Sequence, residues 1–393
     1  MILSAISLRR AFRRELLVLY LVVCMADVFV GLALPLFPLL AQGLGASLTF
    51  IGVLTAINAG MQVVAGVPLG ILSDRYSRGL VITLGLALFV ITAALLIWAP
   101  SPIWLIPAQI TLGTGIVATF VMGGALASSL SLPDERGAVM GLYTTAMGLG
   151  FTIGPLLGGL LAVGSSAARS LFVAGSVALC GLLLALWGLP LRPAPRAQKR
   201  AVDVLNVPMW TRALLFACLA NLLFSPIFGA VVVTFVPLQT NTLGFGSLAI
   251  GSLFSIRALA STATRLPTGV ISTPPWSRRL ILIALALSGL ALLALAGLHS
   301  YPAFVAALAL EGVSYGIFLT AGQAFVAQHT DRQRVGAALG TYNMAGGISV
   351  ALSPFLLGML AERAGIAALF WYVGVLVLLG AAVLALLLRY ARR

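Results

Sequence analysis

Long apolar runs alternate with short polar segments along the whole chain. Each run holds about 20 residues or more, which is enough for an α-helix to cross about 30 Å of hydrocarbon. A helix also satisfies its own backbone hydrogen bonds, as a membrane span must. We therefore predict an all-α membrane protein with about twelve transmembrane helices. The predicted spans are residues 16–40, 50–72, 79–99, 103–129, 137–163, 168–190, 211–239, 247–272, 279–298, 302–328, 335–361 and 366–388.

The composition agrees with this pattern. Of the 393 residues, 61% are hydrophobic and only 8% are charged, which is typical of a membrane protein and not of a soluble globule. A net charge of +14 is often a sign of nucleic-acid binding, but here the basic residues separate the apolar runs and form no single cluster. We expect no nucleic-acid partner. Cys24, Cys180 and Cys218 lie inside apolar runs, so we expect no disulfide framework.

The position of the basic residues orients the spans. Most of the 23 lysines and arginines fall in the two terminal segments and in every second loop, and the other loops hold only Arg169 and Arg363. This asymmetry follows the positive-inside rule. It predicts a multi-pass protein of the inner (cytoplasmic) cell membrane, in contact with the lipid bilayer, with both termini in the cytoplasm. The first run is longer than the core of a signal peptide, so we interpret it as an uncleaved span.

The chain contains an internal repeat. A shift of 199 residues aligns 51–73 with 250–272 without a gap, and it also superposes glycine, proline and tyrosine residues far from that segment. Repeats with a long period indicate duplication. We predict an N-terminal six-helix half over 1–190, a cytoplasmic linker over 191–210 and a C-terminal six-helix half over 211–393. Two such halves are typical of alternating-access carriers, whose substrate site lies near the membrane midplane. The superposed pairs include Pro68 with Pro267, Gly113 with Gly312, Tyr143 with Tyr342, and Pro155 with Pro354.

The first predicted cytoplasmic loop reads GILSDRYSR from Gly70 to Arg78. It resembles the loop signature of the major facilitator superfamily, although Ser77 replaces a glycine of that signature. The resemblance implies a conformational latch made by Gly70, Asp74, Arg75 and Arg78. In the latch, Asp74 would face the start of span 11, where free amides and the helix dipole attract a carboxylate. The alternative is that these charges only mark a cytoplasmic loop.

Span 5 contains GFTIGPLLGG from Gly150 to Gly159. This string resembles the signature of the twelve-helix drug/proton antiporter branch of the same superfamily. Gly150, Gly154 and Gly158 share one helix face, Pro155 interrupts the hydrogen-bond ladder, and Gly159 completes the string. By analogy with the family, we expect the glycine face to pack closely on span 8 of the other half. Ordinary packing of small residues is the alternative.

Three ionisable residues lie near the middle of predicted spans. Asp27, Arg257 and Glu311 are each about 14–16 Å from a span end, at 1.5 Å per residue. A charge at that depth costs several kcal/mol unless it has a partner or faces water. They are therefore candidate residues for substrate binding and proton coupling, with Asp27 favoured for coupling. Arg257 and Glu311 either form a structural ion pair or act in transport.

Polar residues within the spans extend this candidate site. Asn58, Gln109, Asn221 and Gln323 either line a cavity or form hydrogen bonds between helices. Exporters of the family carry an arginine four residues before the glycine that is Gly113 here. The chain has Gln109 at that position, which leaves proton coupling open. Arg265 is near a span end, from which it can reach the interface.

Together these features predict a secondary transporter that works by alternating access, and not an enzyme. The leading hypothesis is proton-coupled export of a lipophilic drug or metabolite, with organic cations as one substrate class, by a monomer. One alternative is an uptake carrier for a small organic anion that uses Arg257. A second alternative is a membrane sensor or scaffold that transports nothing. We expect no cofactor and no metal site, since no metal-ligand spacing is visible.

Overall fold

The computed structural model describes residues 13–132, 135–163, 167–191, 211–331 and 334–390. Within these residues the chain forms twelve long helices and no strand. Eleven of the helices are long and apolar enough to cross a membrane. The exception is α8, which carries Arg257 and Arg265. The helices are α1 Arg14–Gly43, α2 Leu48–Arg75, α3 Arg78–Ile97, α4 Pro102–Leu130, α5 Arg136–Ala162, α6 Ala167–Gly188, α7 Arg212–Thr242, α8 Ser247–Ile271, α9 Pro274–Gly297, α10 Tyr301–Gln328, α11 Val335–Ala364 and α12 Ile366–Tyr390.

The predicted all-α membrane fold with about twelve helices is confirmed. The observed limits lie within a few residues of the predicted ones, and α9 differs most because it begins at Pro274. A proline at the first helical position lacks only an amide that would have no partner there, so it favours a helix start. Two irregular stretches were not predicted. The α-helical ladder widens to a π-helix over Val117–Val121 in α4 and over Ile227–Phe235 in α7.

The described residues divide into two compact units. Unit 1 contains α1, α3 to α6, the part of α2 from Gly60 onward, and the start of α8 over Gly246–Ser255. Unit 2 contains α7, α9 to α12, the rest of α8, and the start of α2 over Ala46–Ala59. Most of the predicted linker 191–210 lies outside the described residues. The predicted limits of the two halves therefore stay a prediction.

Within unit 1, α1 is the central helix. It packs against α5 and α6, while α3 packs against α4 and α6. The rings of Phe29 and Phe89 stack at 4.8 Å between α1 and α3, and both are fully buried. Close packing of large apolar side chains in this way gives the unit a continuous core.

Within unit 2, α9 packs against α10 and α12, and α7 packs against α11. The rings of Phe224 on α7 and Phe318 on α10 stack at 3.8 Å. Many large apolar side chains on the outer helix faces are exposed, among them Leu266 and Val270 of α8. In a bilayer these faces contact lipid, so they need no protein cover.

Equivalent residues of the repeat make equivalent contacts. In unit 1, the Tyr143 ring lies on Gly123, where a methyl group would stand 2.8 Å from the tyrosine hydroxyl. In unit 2, the hydroxyl of Tyr342 lies against Gly322 so closely that a methyl group there would overlap it. The two tyrosines and the two glycines are each 199 positions apart. The duplication read from the sequence is therefore present in the packing.

Candidate functional site

Asp27 is held in a buried turn of α1 against α5. Its side chain is only 7% exposed, and a methyl group at Gly150 would stand 2.8 Å from its Cβ. The same methyl group would overlap the carbonyl oxygen of Cys24, one turn earlier on α1. The absence of a side chain at Gly150 therefore sets how closely α5 approaches the turn that carries Asp27.

The glycine face of α5 packs on α1 and not on α8. A methyl group at Gly154 would stand 2.7 Å from the Val28 carbonyl oxygen, and one at Gly158 would stand 3.0 Å from Leu32. The expectation that this face meets span 8 is therefore wrong. Glycines four apart share one face, and α1 is the helix that this face meets.

The contact with α8 is made by the other residues of the same string. A methyl group at Gly159 would stand 2.6 Å from the Ser247 carbonyl oxygen at the start of α8. The carbonyl oxygen of Pro155 lies against Gly251, where there is no room for a side chain. A helix turns about 100° per residue, so Gly158 and Gly159 meet different neighbours. The string joins α5 to two helices at once.

The repeat produces a matching contact in unit 2. The Pro354 carbonyl oxygen of α11 lies against Gly52 of α2, again with no room for a side chain at the glycine. In unit 2 a carboxylate adds a second contact between α2 and α11, because the backbone amide of Thr49 donates to Glu362 Oε2 at 2.9 Å. Amides in the first turn of a helix lack partners within the helix, and Glu362 supplies one. Val163, directly after the end of α5, occupies the equivalent position, so a carboxylate is present in one copy only.

Arg257 and Glu311 form a buried ion pair between α8 and α10. The guanidinium donates through Nε to Glu311 Oε2 and through Nη2 to Oε1, the latter at 3.1 Å. Arg257 is 2% exposed and Glu311 is fully buried. Two parallel donors match the two carboxylate oxygens, which is the strongest geometry for such a pair.

Two aromatic rings cover the guanidinium of this pair. Its carbon lies 4.0 Å from the ring centre of Phe228 on α7 and 4.8 Å from that of Tyr315 on α10. Both distances lie within the range of a cation–π contact. The sequence prediction did not include these two residues. Tyr315 was open to prediction, because it follows Glu311 by one helical turn. Phe228 was not, because its position depends on the packing of α7.

The polar residues within the spans differ in their surroundings. Asn221 of α7 donates to the Tyr342 carbonyl oxygen of α11 at 2.7 Å, so it links two helices. Asn58 and Gln109 are buried, at 7% and 2% exposure, whereas Gln323 is exposed. Asn221 therefore has the contact expected for interhelical hydrogen bonding.

A serine of the loop between α2 and α3 caps the start of α3. The Ser77 hydroxyl accepts from the Leu80 amide at 3.0 Å and starts α3, so this serine has a local role where the family has glycine. Arg78 donates to the Ala125 carbonyl oxygen of α4 at 3.2 Å. Gly70 accepts from Ser73 at 2.7 Å, and Arg75 is exposed. The Asp74 side chain lies outside the described part of the structure, so the latch stays a prediction.

Sequence similarity assigns the chain to a family. The profile of the Major Facilitator Superfamily matches residues 19–276 and 217–393. The chain belongs to this superfamily. It is a multi-pass membrane protein of a transporter family. Among the residues that the structure describes, no group of three or more histidine, cysteine, aspartate or glutamate side chains is arranged to hold a metal ion.

Several superfamily members are similar over long stretches. Multidrug resistance protein 1 of Bacillus subtilis is 25% identical over 346 residues, which cover 85% of this chain and 86% of that protein. Tetracycline resistance protein, class C, of Escherichia coli is 31% identical over 197 residues, or 48% of each chain. For three curated relatives, the last of them this tetracycline resistance protein, the matched segment covers 34%, 67% and 48% of the relative's own length.

A solved structure supports the superfamily fold. A bacterial homolog of the human lysosomal transporter Spinster, crystallised in an inward-facing and occupied conformation, matches with a TM-score of 0.78. The match covers 95% of this chain and 96% of that one at 15% identity. At such low identity the likeness establishes the fold alone.

Proposed function

We propose that this transporter exports a lipophilic drug or metabolite, organic cations among them, in exchange for protons, and that Asp27 carries the proton. The observation on which the proposal rests is the burial of Asp27 in an apolar helix against Gly150 of the exporter-like string. A buried carboxylate that releases its proton when the substrate binds, and takes up a proton when the substrate leaves, couples the two fluxes in opposite directions.

The relatives support the direction of transport. Two similar proteins are described as a multidrug resistance protein and a tetracycline resistance protein, and resistance of these kinds is consistent with export. The exporter-like string of α5 is in agreement, since it forms close backbone contacts with both α1 and α8. We infer residence in the cell membrane with both termini in the cytoplasm, and function as a monomer.

The Arg257 pair weighs against uptake of organic anions. An anion clamp needs a guanidinium that is available to the substrate, and here Glu311 already takes two of its donors. Releasing it would leave a buried carboxylate without its partner, which is costly.

Transport in proteoliposomes tests the proposal. The probe is ethidium, a fluorescent lipophilic cation, and the variants are Asp27→Asn and Glu311→Gln. Asp27→Asn mimics the protonated carboxyl, so it should abolish transport driven by a pH gradient while downhill exchange of ethidium continues. Glu15→Gln, at an exposed position in the first turn of α1, is the matched control and should transport like the wild type.

Each other outcome has a definite meaning. Full coupling in Asp27→Asn with loss in Glu311→Gln would move the proton site to unit 2. Ethidium uptake against its gradient into the compartment that corresponds to the cytoplasm would reverse the proposed direction. If neither ethidium nor a panel of organic anions moved through well-folded wild-type protein, the sensor or scaffold alternative would replace transport of these substrates.

A further inference from the structure

The Arg257 cluster has the composition of a binding site for an organic cation. A carboxylate, Glu311, lies at one edge of the guanidinium, and the rings of Phe228 and Tyr315 lie over it at 4.0 and 4.8 Å. A carboxylate combined with aromatic faces is a recurring arrangement for binding organic cations. Here the cation in the site belongs to the protein itself.

The burial of the four residues differs in a way that suggests exchange. Arg257 and Glu311 are buried, whereas Phe228 and Tyr315 are only half-buried. The two rings therefore form the boundary of the cluster, where a ligand would arrive first. Phe228 also lies in the π-helical stretch Ile227–Phe235 of α7, directly after Pro226. Short π-helical stretches are uncommon and are often found at functional sites.

A displaced guanidinium would find an acceptor on its own helix. Ser261 follows Arg257 by one turn of α8, and residues four apart on a helix are neighbours. Ser261 is 2% exposed, and its hydroxyl has no hydrogen-bond partner in the described structure. Buried hydroxyls without a partner are rare because they cost free energy. Ser261 can therefore accept a hydrogen bond from Arg257 after exchange.

We propose that Glu311, Phe228 and Tyr315 form a binding site for a planar lipophilic cation, and that Arg257 occupies this site as a tethered substitute until a substrate displaces it. This inference rests on the proposed function and names a substrate class for it. The bound cation replaces the guanidinium, so Glu311 keeps a positive partner in both states. The buried carboxylate is then never left without a counter-charge.

The proposal predicts opposite effects for the two partners of one ion pair. In the wild-type protein, the apparent affinity for the substrate is proportional to the fraction of time during which Arg257 leaves the site free. Removing the guanidinium leaves the site free at all times. Arg257→Gln should therefore bind ethidium about ten-fold tighter than the wild type, or more, if Arg257 occupies the site at least nine-tenths of the time. Glu311→Gln should bind it much more weakly. A purely structural pair predicts weaker binding in both variants.

Fluorescence anisotropy of ethidium with purified full-length protein measures the affinities. The variants are Arg257→Gln, Glu311→Gln, the double variant, and Phe228→Leu in the Arg257→Gln background. The last two should lose the gain of Arg257→Gln. Arg265→Gln, two turns further along α8, is the matched control for loss of an arginine and should bind like the wild type. Size-exclusion profiles report which variants are folded.

A measurement on the wild-type protein covers the case in which Arg257→Gln does not fold. Phenylglyoxal modifies accessible guanidinium groups, and peptide mass spectrometry locates the modification. Ethidium should increase labelling of Arg257 several-fold and leave Arg265 unchanged. Unchanged or weaker ethidium binding by folded Arg257→Gln, or ethidium that protects Arg257 from labelling, would overturn the proposal. If the wild type bound and transported no ethidium, the proposed function for lipophilic cations would fail instead.

Discussion

Gly150 offers a direct test of how α5 positions Asp27. In Gly150→Ala, the new methyl group would overlap the Cys24 carbonyl oxygen and stand 2.8 Å from the Asp27 Cβ and 3.0 Å from the Val28 amide nitrogen. Two of these neighbours are backbone atoms, which cannot rotate away like the end of a side chain. The turn of α1 that carries Asp27 must therefore shift, or the two helices must separate.

Two opposing effects determine the expected loss of stability in Gly150→Ala. Overpacking of a tight contact costs about 1–3 kcal/mol, while alanine favours the helix over glycine by about 0.5–1 kcal/mol. The net loss of stability should lie between about 0 and 2.5 kcal/mol, with a central value of about 1 kcal/mol. Gly141→Ala is the matched control, because Gly141 lies on the same helix with no atom within 4 Å of the added methyl group. Gly141→Ala should therefore show the gain in helix stability from alanine without a steric overlap.

The assay compares apparent melting temperatures of the two variants in detergent at one heating rate, because unfolding of such proteins is often irreversible. Gly150→Ala should melt below the wild type, and Gly141→Ala at or above it. In proteoliposomes, Gly150→Ala should also lose more of its proton-driven flux than of its downhill exchange. The reasoning is wrong if Gly150→Ala melts as high as Gly141→Ala and keeps full coupling.

Three further substitutions test other contacts. Asp74→Asn removes a charge worth about 0.3–1 kcal/mol near a helix dipole, so it should shift the open-state populations several-fold; unchanged spin-label distances across the cytoplasmic gate would contradict the latch. Glu362→Gln should weaken the cap at Thr49, seen as faster amide exchange at the start of α2, and equal exchange rates would rule out a stabilising cap. Asn221→Ala should lower the melting temperature by removing the donor to Tyr342, worth about 0.6–1.7 kcal/mol, while ethidium affinity stays unchanged; a lower affinity would place Asn221 at the substrate.

The fold could be predicted from the sequence because a bilayer restricts the chain so strongly. A span needs about 20 apolar residues and an uninterrupted helix, so the apolar runs give the helix limits almost directly. α8 shows that this holds even for a weak span, since its two arginines lower its apolar character and its limits were still predicted from the apolar run. The π-helical stretches could not be predicted, because they depend on packing and not on any local residue pattern.

The site was predicted less completely, and for a physical reason. Charges in apolar runs are visible in any sequence, which is why Asp27, Arg257 and Glu311 were identified. The neighbours of a helix face are not visible, since the spacing of Gly150, Gly154 and Gly158 defines a face but not the helix that it meets. The assignment to span 8 followed the family analogy and was wrong for these three glycines. Phe228 is likewise one of many aromatic residues until its place beside Arg257 is known.

The buried carboxylates Asp27 and Glu311 have different surroundings, and this difference bears on their roles. Glu311 pairs with the Arg257 guanidinium, and in the proposed exchange a substrate cation takes the place of that guanidinium, so the carboxylate keeps a counter-charge in both states. Asp27 lies on a helix turn that is set by backbone contact with Gly150, and protonation there removes a buried charge from an apolar helix. On these grounds we expect Glu311 to exchange one cation for another, while Asp27 exchanges protons. Side-by-side flux measurements on Asp27→Asn and Glu311→Gln separate the two roles, since the first should lose only the response to a pH gradient and the second should lose binding of the cation itself.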